Sequence, residues 1–506
     1  MADGIGAFLI WAAAVLPSGA LAQPMDYATR QQFEVTVAQM SKPAAQGTLA
    51  DQARAVMSGL GLTSDIAAPG LKDDLPSPAA PPPAFVPDGS AVVELVDIRL
   101  LLTQIAIQSG ARNHIALVRA QGPRDHGVIL LRSGLVTLDD LFDLVQGTPA
   151  QAFVTQSNAG VVLTRPLAIW ADAGLTLGDA EKLILVRPSG SFVVNLGWLD
   201  MRGGSIVGAG GPNATEAGFR PFVLTAGRGS FTARAAKFRA LGFGDAAVFG
   251  GIAVVNTGLV APHHASSVTN STLVDVRSLA LLGTTGATVS GNHISGSDGT
   301  AILLSQVLDS VVHENRLDAM SGPQAIRVTA AASGVTISGN LVSGSPRTGI
   351  LVDRDSRYVQ VTGNVVQGSL TTGIGTNNAT CVAITANLVA TNGGVGVNLS
   401  DTDAATISAN ALLFNHGSGL LLRNQTAAAV VHVAGNVFVG NDDGLRGATP
   451  GKLSLQVNNF DGQTPRVFAG DFAPLTVPWL RSRRDATPFV MAAAPSSTAC
   501  ADSGAN

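Results

Sequence analysis

The sequence predicts an all-β protein, a right-handed parallel β-helix with a small α/β cap at its N-terminal end. Three observations lead to this fold class: a motif that recurs every 22–26 residues, apolar residues that alternate around it, and a composition of 58 glycines with only 13% charged residues in 506. Repeats of this length leave room only for short strands and turns, and stacking them buries one continuous apolar core.

The recurring motif is an asparagine with an apolar residue three positions before it and another two positions after it. Period-2 alternation is typical of a strand whose asparagine and apolar side chains face the same side. Stacked asparagines can bond to each other and satisfy turn amides that would otherwise be buried without partners. The asparagines predicted to form this ladder are Asn270, Asn292, Asn315, Asn340, Asn364, Asn387, Asn410, Asn436 and Asn459.

A second strand follows about ten residues later, with Ile302, Ile326 or Ile350 at the same position of successive repeats. It usually opens with glycine, as Gly349 does before Ile350. Three positions past that apolar residue, the repeats carry Ser305, Thr329, Asp353, Asn377, Ser400 and Arg423. At about 4.8 Å between coils, six coils place these side chains in a polar strip of about 25 Å. We interpret the strip as a groove for a linear polymer; the alternative is a solvated polar face without a ligand.

The first residues predict export. Ile5–Leu16 is apolar but too short for a membrane span, which needs about 20 residues. Ala20-Leu21-Ala22 then matches the small-x-small pattern before a signal peptidase cleavage site. The segment lacks Lys and Arg and carries Asp3, so a misplaced start or an apolar core strand are the alternatives. No later stretch is apolar enough for a membrane helix.

The chain is therefore divided into a signal peptide (1–22), a low-complexity segment with a proline-rich linker (23–90), an α/β cap (91–160), the β-helix (161–462) and a C-terminal tail (463–506). Within the cap, the spacing of apolar residues predicts a helix over Asp97–Ser109 and strands over His114–Val118 and Val128–Leu131. Thr137 is predicted to cap a helix over Leu138–Val145, with acidic residues in its first turn.

Charge and cysteine content exclude several functions. A net charge of −4 argues against a nucleic-acid partner, and two cysteines cannot build a disulfide scaffold or a cysteine-based zinc site. In an exported compartment Cys381 and Cys500 could pair, but Cys381 lies in a repeat and Cys500 in the tail, so two unpaired residues are the favoured alternative. The histidines show no metal-ligand spacing. The sequence predicts no metal and no cofactor.

Aromatic residues are scarce in the repeats, which argues against stacking on neutral sugars. Several arginines instead favour an anionic polymer. The predicted substrate-binding residues are Arg327, Asp353, Arg354, Asn377 and Arg423.

Several segments resemble the periplasmic mannuronan C5-epimerases of alginate biosynthesis. They are Gly127–Leu141 in the cap, Ser191–Leu199, Gly218–Val223 and Phe238–Gly244 in the early coils, and Gly349–Ser356 (GILVDRDS), which is similar to the family's G-I-x-x-D-R-x-S coil. The resemblance runs from about residue 128 to 460. It implies a right-handed β-helix, a periplasmic location, an anionic uronate polymer as substrate, and other periplasmic exopolysaccharide export proteins as partners.

The chain departs from the family at its catalytic motif. The family's Asp-Pro-His-Asp falls on Leu303, Leu304, Ser305 and Gln306, and neither Leu nor Gln can replace a base in C5 epimerisation. Tyr358 and Asp353 are the remaining candidates for catalysis. Three functions stay open: an exported β-helix that binds or modifies polysaccharide but is weak or inactive as an epimerase, an active epimerase or lyase with relocated catalytic residues, and a structural β-helix without carbohydrate.

Overall fold

The computed structural model describes Val35 and residues 89–111, 114–123, 126–257, 261–491 and 500. The predicted signal peptide and almost all of the predicted low-complexity segment and linker lie outside these ranges. The described chain is a parallel β-helix of about 13 coils with few helices, which confirms the predicted architecture. No helix in the described ranges is long and apolar enough to cross a membrane.

Each coil contributes strands to three parallel ladders, here called A, B and C in chain order. Ladder A begins with the first halves of Gly127–Val136 and Leu167–Leu177 and continues through Val193–Asn195, Val223–Ala226, Gly251–Val255, Ser278–Leu282, Ile302–Ser305, Gln324–Thr329, the first parts of Thr348–Thr362, Thr372–Thr385 and Val395–Asp403, Ser418–Arg423, Asp443–Ala448 and Arg466–Gly470.

Ladder B takes the second halves of Gly127–Val136 and Leu167–Leu177, then Trp198–Arg202, Ser230–Arg234, Ser267–Thr269, Thr288–Ser290, Val311–His313, Thr336–Ser338, the last parts of Thr348–Thr362 and Thr372–Thr385, Ala405–Ser408, Val430–Ala434 and Lys452–Gln456.

Ladder C consists of Gly160–Leu163, Lys182–Val186, Ser205–Ala209, Lys237–Leu241, Thr272–Val276, His293–Ser295, Arg316–Asp318, Leu341–Ser343, Val365–Gln367, Leu388–Ala390, Ala411–Leu413, Val437–Val439 and Asn459–Gly462. Val154–Ser157 adds an antiparallel strand at its start. Inward-facing Val, Ile and Leu stack in register, as in the Ile302, Ile326, Ile350 and Ile374 column, and fill the core.

An asparagine ladder runs through the corner between ladders B and C. The backbone N–H and the Nδ2 group of each asparagine both donate to Oδ1 of the asparagine in the next coil, at 2.9–3.1 Å. Nδ2 also donates to a core carbonyl, as from Asn387 to Val361 at 2.8 Å. The predicted ladder is therefore confirmed from Asn292 to Asn436.

Three details of the predicted repeat are wrong. The strand predicted across each asparagine is two strands from different ladders, because the preceding residue, such as Glu314, has a positive φ and turns the chain. At the two ends of the ladder the prediction is one residue off. At the first end, Ser271 and not Asn270 donates its backbone N–H to Oδ1 of Asn292. At the other end, Asn458 and not Asn459 accepts the hydrogen bond from the backbone N–H of Asn436.

The cap contains three helices: α1 (Ile98–Ser109), α2 (Ile115–Ala120) and α3 (Leu138–Val145). The two predicted helices correspond to α1 and α3 and are confirmed, with Asp97 and Thr137 as their N-caps. The strand predicted over His114–Val118 is wrong, because Leu117 and Ala120 lie one helical turn apart and are both buried against the coils. Val92–Asp97 pairs antiparallel with Gly127–Val136, the first strand of ladder A.

Both ends of the apolar core are covered by helices. At the N-terminal end, Leu138, Leu141 and Val145 of α3 are fully buried in the same cluster as the first coils. At the other end, α4 (Thr476–Arg484) places Trp479 edge-on to Phe460 and Phe468. Short 3-10 turns at Pro149–Phe153, Arg187–Ser189, Ala247–Phe249 and Ala473–Leu475 complete the described elements.

We expect Asn387→Ala to destabilise the middle coils strongly. The substitution removes the acceptor of two Asn364 donors and the donor to Val361, all of them buried. Unsatisfied buried groups of this kind predict a loss of about 3 kcal/mol in the free energy of unfolding, measured by chemical denaturation. Thr406→Ala, on an exposed position of ladder B, is the control. Equal stability of the two variants would show that the ladder does not hold the coils.

The cap is expected to depend on pH through Asp140. The backbone N–H and hydroxyl of Thr137 donate to its carboxylate at 2.9 and 2.7 Å, and these bonds lower the pKa of Asp140. Because the pKa is lower in the folded state, the ionised Asp140 stabilises the helix when the pH is above the ordinary pKa of about 3.9. This stabilisation is lost as the pH falls through the lowered pKa of the folded state. Asp140→Asn should therefore speed amide hydrogen exchange in α3 near neutral pH. As the pH falls below the ordinary value, the difference in exchange between variant and parent, corrected for intrinsic rates, should shrink, and a difference that does not shrink would contradict the assignment.

Candidate functional site

The outward face of ladder A changes character along the β-helix. In the early coils its outward column is apolar and runs in register through Ala168, Val194, Leu224, Ala253 and Ala280. An outer apolar layer buries this column. It comprises Leu101 and Ile105 of α1, Leu117 of α2, and Phe192, Phe222 and Phe249. The layer ends at Leu282 and Leu303, which are only partly buried.

The face becomes open where the outer layer ends, and two outward columns follow in register. The first column contains Leu303, Arg327, Leu351, Gly375, Asn398, Leu421 and Arg446. The second contains Ser305, Thr329, Asp353, Asn377, Ser400 and Arg423. We call the two columns together the open strip.

The second column is the polar row that the repeat spacing predicts. The first column was not fully recognised in the sequence, and it makes the strip less polar than expected. Leu351 and Leu421 face outward, while Gly375 between Leu351 and Asn398 has no side chain. Apolar patches therefore alternate with polar groups along the strip.

Two of the predicted substrate-binding residues are bound to each other. Arg327 contacts Asp353 of the next coil through two bonds, Nη2 to Oδ2 at 2.6 Å and Nε to Oδ1 at 3.3 Å. The Asp353 side chain is 8% exposed and that of Arg327 22%. The paired geometry holds both side chains in place and cancels their charges in the middle of the strip.

The other predicted residues lie at the rim of the strip, where ladder A turns toward ladder B. Arg354 and Asp355 both have positive φ and form this corner, and Asp355 accepts a hydrogen bond from Nδ2 of Asn378 at 2.9 Å. Arg354, Asn377 and Arg423 are exposed. Within the described ranges, neither Arg354 nor Arg423 has a carboxylate within ion-pair distance.

Tyr358 does not lie on the open strip. It stands at a second corner with positive φ, just before ladder B, and is half-buried. In the next coil the equivalent corner position is Cys381, since Val359 pairs with Val382. The structure therefore places Tyr358 outside the two columns that hold Arg327 and Asp353.

Cys381 and Cys500 form a disulfide, with Cα atoms 5.6 Å apart, so the expectation that both are unpaired is wrong. The two residues are separated by 119 positions, and the sequence alone gives no sign that they are close. The bond fixes Cys500 at the corner before ladder B, where its Sγ lies 3.8 Å from the carbonyl oxygen of Ala404.

Two histidines pair with polar side chains on ladders B and C, and the sequence did not predict these pairs. On ladder C, Nε2 of His293 lies 3.1 Å from Oδ2 of Asp318, and Nε of Arg316 donates to the same oxygen at 3.0 Å. His313 on ladder B lies 2.9 Å from the Ser338 hydroxyl. Neither pair faces the open strip. Among the described residues, no three His, Cys, Asp or Glu side chains converge as metal ligands would.

The open strip has groups that can bind a ligand, but it has few groups that can transfer a proton. Its one carboxylate, Asp353, is held by Arg327, and none of the residues in its two columns is a His, Tyr, Lys or Cys. The available chemistry is hydrogen bonding from Ser, Thr and Asn, charge pairing by arginine, and contact with leucine.

The fold and site define a right-handed β-helix protein with a long open strip on one ladder. Residues 249–366 match the family model of the right-handed β-helix region, which confirms the predicted handedness, and residues 318–461 match that of the periplasmic copper-binding protein NosD. Each match covers less than a third of the chain. No curated protein matches the sequence significantly.

Among solved structures, the chain is similar to the periplasmic alginate epimerase AlgG. A double mutant of AlgG superposes with a TM-score of 0.62 at 18% identity, covering 83% of this chain and 99% of that one. A single mutant gives 0.61 at 18% identity, covering 74% and 95%, and a structure of AlgG itself gives 0.53 at 19%, covering 72% and 82%. The predicted resemblance to the alginate epimerases is confirmed, and at these identities it shows the shared fold alone.

Proposed function

We propose that the protein is an exported, periplasmic β-helix that binds an anionic polysaccharide, such as a uronate polymer, along the open strip. One observation carries the proposal. The apolar outer layer that covers ladder A stops at Leu303, and the exposed coils beyond it present Arg354, Asn377 and Arg423 at the rim of a straight strip. Unpaired arginines recognise carboxylates through two parallel hydrogen bonds.

The length of the strip suits a polymer rather than a single sugar. From Leu303 to Arg446 the first column crosses six intervals between coils, which is about 29 Å at the usual strand spacing. Leu351 and Leu421 supply apolar contact, and the serine, threonine and asparagine side chains supply hydrogen bonds to hydroxyl groups.

Binding fits the strip better than C5 epimerisation. That reaction needs a neutralised carboxylate, a base on one face of the sugar and a proton donor on the other. The strip offers arginines for the first requirement, but its only carboxylate is tied to Arg327. Within the exopolysaccharide system that the fold similarity suggests, the protein would hold or guide polymer, together with other periplasmic export proteins.

Removing Arg354 and Arg423 tests the binding proposal. We expect Arg354→Ala with Arg423→Ala to weaken binding of polymannuronate by about tenfold or more, measured by calorimetry at low salt, because two charge-assisted contacts are lost. Arg239→Ala removes a similarly exposed arginine from ladder C and serves as the control. Equal affinity of the double variant and the parent would refute the strip as the binding surface, and so would the absence of binding by the parent.

The same proposal predicts no exchange at C5. Polymannuronate incubated with the protein in heavy water should gain no deuterium at C5 by NMR and no unsaturated ends by ultraviolet absorbance. Either signal would establish the competing function, an active epimerase or lyase. Tyr358→Phe and Asp353→Asn would then show whether the two predicted catalytic candidates are responsible.

A further inference from the structure

The end of ladder A nearest the C-terminus carries two arginines that share one aspartate. Nη1 of Arg446 donates to Oδ2 of Asp443 at 2.7 Å, and Nε of Arg466, one coil further along, lies 2.7 Å from Oδ1 of the same carboxylate. The hydroxyl group of Ser418, in the preceding coil, donates to Oδ2 at 3.3 Å. We call Asp443, Arg446 and Arg466 together the arginine clamp.

The aspartate of the arginine clamp is buried, whereas both of its arginines reach solvent. The side chain of Asp443 is 2% exposed, while those of Arg446 and Arg466 are 45% and 60% exposed. Because the buried carboxylate is held from several sides, it orients the two guanidinium groups that contact it. The clamp therefore presents two positioned cations at the surface of the β-helix.

The charges of the arginine clamp do not cancel, unlike those of the pair in the middle of the open strip. There, Arg327 donates two hydrogen bonds to Asp353, so one guanidinium group meets one carboxylate. In the clamp, two guanidinium groups meet one carboxylate, which leaves one positive charge in excess. A guanidinium group carries several N–H donors, so both arginines retain donors for a second anion.

Two further acidic residues flank the strands that hold the arginine clamp. Asp442 is exposed and comes just before the first of these strands, and Asp471 comes just after the second, where its carboxylate accepts a hydrogen bond from the Thr449 N–H at 2.7 Å. In the part of the chain that the structure describes, neither carboxylate lies within ion-pair distance of a basic side chain. The excess charge of the clamp is therefore not cancelled by a second ion pair.

The arginines of the last three coils form a diagonal across ladder A. Arg423 lies at the rim toward ladder B, Arg446 lies in the first column of the open strip one coil further, and Arg466 opens the last strand, at the edge toward ladder C. Successive members are one coil apart, about 4.8 Å, and each lies closer to the start of its strand than the one before. The line of positive charge thus crosses the face at this end instead of following the rim.

We propose that an anionic polymer leaves the rim at Arg423, crosses ladder A, and binds the arginine clamp through one sugar carboxylate. The inference rests on the proposed function, because it concerns the path of the same polymer. The sugar carboxylate accepts hydrogen bonds from Arg446 and Arg466 while Asp443 holds both side chains in place. Because the two guanidinium groups are already oriented, binding them sacrifices little side-chain entropy.

Two variants of the full chain separate a binding role of the clamp from a structural one. Arg466→Ala removes one cation and leaves Asp443 paired with Arg446. We expect this variant to bind polymannuronate about tenfold more weakly, by calorimetry at low salt, with a smaller salt dependence of the dissociation constant. Asp443→Asn keeps both arginines and removes the carboxylate that competes for them, so it should bind at least as tightly as the parent.

Arg202→Ala is the matched control. Nε of Arg202 lies 2.9 Å from Oδ2 of the buried Asp200 on ladder B, so this variant also breaks an ion pair between an exposed arginine and a buried aspartate. Its affinity for polymannuronate should equal that of the parent. Circular dichroism at the temperature of the binding assay confirms that each variant is folded.

The outcomes distinguish this inference from the proposed function. If Arg466→Ala binds as tightly as the parent while Arg354→Ala with Arg423→Ala binds weakly, the polymer stays on the rim and the clamp only neutralises Asp443. If Arg202→Ala or Asp443→Asn weakens binding as much as Arg466→Ala does, the loss of an ion pair is the cause and the clamp is not a binding site. A parent that does not bind polymannuronate overturns both proposals.

Discussion

The structure depends on hydrogen bonds between amide side chains at the corners of the coil. A chain that turns three times per coil buries backbone groups at each turn, and water does not reach them. The asparagines from Asn292 to Asn458 satisfy these groups from one coil to the next. A second ladder, which sequence inspection missed, does the same between ladders C and A through Asn392, Asn415, Asn441 and Gln463. Because the ladders fix the register, every outward column lines up along the axis.

The repeat explains why the fold was predictable and its details were not. Period and alternation identify stacked coils, but they do not distinguish the residue that turns the chain from the residue that joins the ladder. In Val457-Asn458-Asn459 the turning residue is Val457, with positive φ, so the ladder takes Asn458. The same ambiguity hid the break between ladders B and C at Glu314. Sequence patterns report spacing, whereas backbone φ decides where a strand ends.

In the candidate site, too, the features that repeat with the coil were predictable from the sequence and the others were not. The row from Ser305 to Arg423 was predictable because it repeats with the coil. The pair between Arg327 and Asp353 was not, because it runs diagonally from one column to the other across neighbouring coils. The Cys381–Cys500 disulfide and the burial of Leu117 against ladder A also depend on contacts between distant parts of the chain. No local pattern records such contacts.

The outer apolar layer decides where on ladder A a ligand can bind. The same column that is buried at Ala280 becomes open at Arg327, only two coils further along. The first residue of the column beyond the partly buried Leu303 is Arg327, whose charge is already neutralised by Asp353. A polymer carboxylate that reached Arg327 would have to displace a carboxylate fixed at 2.6 Å, and it would leave Asp353 buried without its partner. Arg354 and Arg423 impose no such cost, so an anionic chain would bind along the rim while Arg327 and Asp353 keep the centre of the strip rigid.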